Sequence, residues 1–193
     1  MAPLLLLFAP LPFVGPAPAE AVYKTPQAVF DAAQKASETK DFKTAFQCTA
    51  PEARKLFAGQ LVQGALPEFA GLTSALDAVL GRHGLDAKAL DAIDRADPRK
   101  AVESYGGMVK KPEEFCIEMM KAQDKAGRDL LAKLGQPVPE LTLSGVRIDG
   151  NKAAGRIVTE AGAIKVEHKA EFVKGKHGWR MLPAVPEDVR VLP

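Results

Sequence analysis

Near Glu140 the spacing of apolar residues changes from the helical period of about 3.6 to alternation, and the change divides the chain into two kinds of backbone. Upstream, apolar side chains recur three and four positions apart; downstream they take every second position between glycine turns. Helices and sheet must each bury one face, and with helices first and strands last each is the natural partner of the other. The expected class is therefore α+β, with N-terminal helices packed on a C-terminal antiparallel sheet of about four strands that curls around them.

The alternation also predicts the strands. Leu141 and Leu143 share one parity and Val146 and Ile148 the other, so the first strand needs one extra residue, which a bulge at Ser144-Gly145 supplies. Asp149-Gly150-Asn151 turns the chain into a second strand, Lys152 to Thr159, and Ala161-Gly162 into a third, Ile164 to Lys174. In the third, Ile164, Val166, His168, Ala170 and Phe172 should face the core, with Lys165, Glu167, Lys169 and Glu171 in water. Gly175-Lys176-His177-Gly178 leads to a last strand carrying Trp179 and Met181 on one side, and residues 184–193 read as an extended tail.

Upstream, local punctuation sets the helices. Thr25-Pro26 opens one that reaches about Lys40 and presents Val29, Phe30, Ala33 and Ala36. Asp41 caps a short second helix, and Thr49-Ala50-Pro51-Glu52 has the form of a capping box opening a third. The middle, residues 84–135, is an expanded helical region. There Asp97-Pro98 starts one piece, Gly106-Gly107 stops it, and Pro112 begins the longest, with Phe115, Met119, Ala122, Ala126 and Leu130 on its face. No repeat or linker interrupts residues 22–183, which read as a single domain.

Residues 1–21 stand apart. They contain no Lys or Arg, and an apolar run from Leu4 to Val14 is followed by Ala17-Pro18-Ala19 and Ala19-Glu20-Ala21. The run is too short for a stable membrane span, which needs roughly 20 apolar residues. Small residues in an A-x-A arrangement are what signal peptidases accept, so export to the periplasm or exterior is expected, with cleavage near Ala21. In an oxidising compartment Cys48 and Cys116 could be joined by one disulfide; each also sits beside a phenylalanine in a helical pattern, where a free thiol packs as a small apolar group. The 26 basic and 24 acidic residues are scattered, leaving no basic stripe for nucleic acid.

The segments TPQAVFDAAQKASETKDFKTAF, CTAPEARKLF and AEFVKGKHGWRML together resemble the nuclear transport factor two-like superfamily, which includes ketosteroid-isomerase-like domains. The resemblance covers Thr25 to about Arg54 and Leu141 to Leu182, and the helical middle is longer than the minimal family pattern. It implies a cone-shaped α+β domain with space between sheet and helices, in a superfamily that holds isomerase-like and dehydratase-like enzymes, binding modules and dimerisation modules. Isomerase-like members use pocket carboxylates and a phenol. The inward parity of the third strand has no Asp or Glu, and Tyr105 lies outside the matched segments, so those residues do not carry over.

The strongest chemical candidate is His168, an imidazole placed by parity among apolar neighbours, where it must find a partner or serve a ligand. Arg156, near the second turn, could reach the mouth of a pocket, and Trp179 could stack on a ligand or fill the core. The three histidines lack metal-ligand spacing, and no cofactor motif is present, so neither metal nor cofactor is expected. The favoured function is non-enzymatic binding of a small apolar ligand or a protein partner. The alternatives are a pocket enzyme moving a proton with His168 and a structural homodimer packed sheet to sheet.

Overall fold

The computed structural model describes residues 21–66, 73–161, 164–184 and 189–192; the apolar leader and Gly162 of the expected second turn lie outside them. Side-chain caps set the first helices. The Thr25 hydroxyl accepts the Ala28 amide and Pro26 occupies the first turn of α1 (Pro26–Glu38). The Asp41 carboxylate accepts both the amide and the hydroxyl of Thr44 at the start of α2 (Phe42–Gln47), and these bonds hold its pKa below the usual carboxylate value.

The capping box expected at Thr49 does not form, because the chain there is drawn into the sheet. Met181 donates its amide to the Cys48 carbonyl at 2.8 Å, and the Ala50 amide donates to the Met181 carbonyl at 2.9 Å. Two backbone hydrogen bonds to a strand displace the local side-chain arrangement. The chain then enters α3 (Arg54–Ala65) through a 3-10 turn at Pro51–Ala53, without a side-chain cap.

Among the described residues four more helices follow in the upper layer: α4 (Thr73–Arg82), α5 (Ala87–Asp91), α6 (Pro98–Met108) and α7 (Pro112–Lys133). Gly106 does not stop α6. It lets two helices touch backbone to backbone: a Cβ on Gly106 would lie 2.1 Å from the Lys55 carbonyl oxygen, and one on Gly59 would lie 2.0 Å from that of Val102. Around this crossing Val62, Leu76, Tyr105, Phe115 and Met119 form a helical core.

The sheet runs β1 (Glu140–Asp149), β2 (Lys152–Ala161), β3 (Ile164–Gly175) and β4 (Gly178–Leu182), each antiparallel to the next. Register slips between Ser144 and Arg147, where the expected bulge falls, and Gly145 there has a φ of 62°. The tail is more than extended chain. Its residues Val189–Leu192 form β5, which pairs with the first half of β3 while β4 pairs with the second half. The inner face of the sheet and α1 share a second core built on Val29, Phe30, Cys48, Ile157, Phe172 and Trp179.

Cys48 belongs to this sheet core and Cys116 to the helical core, and both thiols are free: of the two readings open in the sequence the structure has the buried free thiol and not the possible disulfide. The physical reason is that each sulfur fills apolar space in a different layer.

The crossing of α3 and α6 gives a signed prediction. Gly to Ala within a helix ordinarily stabilises by about 1 kcal/mol, but at Gly106 the added methyl meets backbone that cannot rotate away, at a typical overpacking cost of about 1–3 kcal/mol. Gly106→Ala should lower the denaturant midpoint, whereas Gly127→Ala, with nothing within 4 Å of its added Cβ, should leave it unchanged or raise it.

Candidate functional site

Where the two cores meet, the packing leaves a cavity of about 250 Å³ between the inner face of β2 and β3 and helices α1, α2, α3 and α7. Small side chains explain the space. Ala33, Ala45 and Ala170 line it where larger residues would close it, while Phe57, Met120 and Met181 supply apolar walls. The sheet edge is interrupted at the same point: β4 leaves β3 at the Leu182 and Glu171 pair, and β5 rejoins it at the Val189 and His168 pair. Between them Pro183 and Ala184 line the cavity, and the Gln60 side-chain amide on α3 donates to the Ala184 carbonyl.

His168 points into this cavity. Leu143, Ile157 and His168 stand side by side across β1, β2 and β3, so an imidazole occupies an inward position of an otherwise apolar row. It is half-buried, and burial pushes its pKa below the ordinary histidine value. No described residue forms a hydrogen bond with it.

Two of the other polar walls are engaged. Ser37 donates its hydroxyl to the Ala33 carbonyl at 3.0 Å, and the Lys169 ammonium pairs with Glu171 at 2.6 Å. Among the described residues no carboxylate lines the cavity. The neutral imidazole, with one donor and one acceptor nitrogen, and the Thr49 hydroxyl are lining groups available to a ligand.

The other site candidates lie elsewhere. Arg156 lies on the opposite face of β2 from Ile157, with its side chain 67% exposed and 3.6 Å from Glu167, so it does not reach the cavity mouth. Trp179 is buried in the sheet core, packed with Val29, Phe30 and Phe172, and lines none of the three cavities. The Cys48 thiol donates to the Tyr23 phenol oxygen at 3.5 Å, and burial raises the pKa of both. Cys116 is pushed up to about 12 by burial alone. Both sulfurs are therefore protonated and unreactive at neutral pH. Among the described residues no group of three or more His, Cys, Asp or Glu converges to hold a metal.

Two features escaped sequence reasoning. Gln60 gave no signal in a helix read only for its apolar face. Arg180, on the parity opposite Trp179, reads as a solvated strand charge, yet it is 4% exposed. Its guanidinium donates to the carbonyls of His177, Trp179 and Ala21 at 2.8, 2.9 and 2.9 Å and lies over the Tyr23 ring.

A larger cavity of about 370 Å³ lies between the end of α3 and α4 and α5. Its carboxylates are partly committed, Asp86 capping α5 and Asp91 pairing with Arg95 at 3.2 Å. Its third carboxylate, Asp77, is exposed to water.

The His168 imidazole should titrate below pH 6.5, the ordinary histidine value, when followed by its ring-proton NMR signals. Because the folded state binds that proton less readily than the unfolded chain, its contribution to stability is present above the unfolded pKa and is lost as pH falls through the folded pKa. His168→Gln should remove that part of the acid destabilisation.

No family model matches the chain, and no curated protein or solved structure matches it either.

Proposed function

We propose that this chain is an exported, non-enzymatic binding domain that holds a small, mainly apolar ligand in the cavity at His168. The observation that carries the reading is the imidazole itself, aimed into an apolar space with no hydrogen bond to a described residue. A polar group in such a place gains from a ligand that supplies its missing partner. Proton-transfer chemistry is less well supported, since it asks for a second acid or base beside the first, and Lys169 is already paired. A sheet-to-sheet dimer is also less well supported. The outer face carries ion pairs of Glu160 with Lys165, Arg156 with Glu167 and Lys169 with Glu171, where such a dimer would favour an apolar patch.

Export rests on the apolar leader and its small-residue cleavage patterns. The contacts of Arg180 bear on which pattern is used. Cleavage after Ala21 would remove the Ala21 carbonyl that accepts from the buried Arg180 guanidinium. Cleavage after Ala19 keeps the acceptor. Mass spectrometry of the mature protein should therefore find Glu20 at the N-terminus, and a chain starting at Met1 would contradict export.

Native mass spectrometry of the protein from its own source should show a co-purifying small molecule or, for stripped protein, uptake of an apolar fluorescent probe. Ala45→Phe, which fills the cavity from α2, should weaken probe binding at least tenfold without lowering the unfolding midpoint. Bare protein that takes up no probe would overturn the reading.

A further inference from the structure

The cavity at His168 has a neighbour of about 340 Å³ on the other side of α1. Ala33, Ser37, Ile157 and Met181 line both, so the two spaces abut along one short wall made of two small residues and two apolar ones. The second cavity runs between α1, the C-terminal half of α7 and the start of β1, and it ends at Val138 and Leu141.

That end is apolar and open. Leu130, Leu134, Val138 and Leu141 are between 40% and 61% exposed, large side chains on the last turns of α7, the connection after it and the first strand. Leu130 belongs to the apolar face of α7, yet that face is buried only at Phe115, Cys116 and Met119, so the helix carries its stripe beyond the helical core.

The cations along the two walls are paired, and Glu38 adds a further carboxylate to the second. Arg128 pairs with Asp124 at 2.7 Å and Lys169 with Glu171 at 2.6 Å, so neither lining cation is left to hold an anionic head group. The polar groups at the inner end are the Thr49 hydroxyl and the imidazole of His168, which can both donate to and accept from a hydroxyl.

We propose that the two cavities are compartments of one passage that takes a single extended amphiphile, its uncharged hydroxyl end on His168 and its alkyl chain emerging at Val138 and Leu141. This rests on the binding reading above and narrows it to a ligand class: a straight-chain alcohol or a lipid presenting one. Either compartment alone would hold only a compact ligand, whereas a flexible chain can pass between Ala33 and Ile157 and bury its length against carbon. The exposed Val138 and Leu141 then form the mouth through which the chain enters.

The test is a series of straight-chain primary alcohols, from hexanol to hexadecanol, measured by displacement of an apolar fluorescent probe from the full chain. Affinity should rise about fourfold per methylene through the length of both compartments. Ala33→Phe, with Ser37→Phe as a second variant at the same wall should the first fail to fold, should halt the rise at a shorter chain; because both residues also line the cavity at His168, the readout is the chain length at which the rise stops and not the affinity for hexanol. His168→Phe should erase the preference for each alcohol over its methyl ether.

A rise that stops at the same short chain with and without the blocking variants would overturn the passage while leaving the binding reading in place. Tighter binding of the carboxylate than of the alcohol of equal length would overturn the uncharged end. Failure of every alcohol and of the probe itself would bring down both readings together.

Discussion

The structure depends on β4 being hydrogen-bonded along both edges. On one side it pairs with β3; on the other, Trp179 donates to the Tyr23 carbonyl at 2.8 Å and Met181 donates to that of Cys48, also at 2.8 Å. Tyr23 and Thr49 form parallel bridges to Gly178 and Met181, one just before α1 and the other just after α2. A five-residue strand thereby fastens both ends of the α1 and α2 unit to the sheet. It also covers an edge that would otherwise be open to another chain. The approach is close enough that a Cβ on Gly178 would sit 2.3 Å from the Tyr23 carbonyl oxygen. Arg180 adds to the same fastening from the other parity, bonding Ala21 and lying over Tyr23.

Space between the layers follows from this arrangement. With the α1 and α2 unit pinned at its ends by backbone bonds, its inner side need not be filled by large side chains. Ala33, Ser37 and Ala45 face the sheet across a gap. The helical core closes the far side, pulled together by the glycine crossing of α3 and α6 and presenting Phe57 and Met120 to the cavity. Each core is apolar and well buried by itself, so the imidazole at their junction stands out chemically. The two thiols follow the same division, one per core, and serve as packing groups.

Much of the fold was legible because it is local. A change of period marks strands, a parity break marks the bulge, and Thr25 and Asp41 mark helix starts, each within a few residues. The inward direction of His168 followed from the same alternation. What could not be read was decided by groups far apart in the chain. The capping box at Thr49 yields to a strand more than a hundred residues away, Gly106 is set by Gly59, and β5 exists because the second edge of β3 is vacant beyond β4. Arg156 failed for a simpler reason. Ala153, Gly155 and Ile157 are the buried residues of β2, so the intervening position must point outward, and the proximity of a turn does not alter that. Gln60 and Arg180 were invisible as functional positions because their roles are bonds to carbonyls, which leave no pattern in a sequence.

The most direct test of the account is hydrogen exchange at the Trp179 and Met181 amides, whose acceptors lie in the helical layer rather than in β3. If β4 fastens helices to sheet, both amides should exchange only with global unfolding, as slowly as the central amides of β2 and β3. Exchange at the rate of an open edge strand, with the β3 amides still protected, would contradict it.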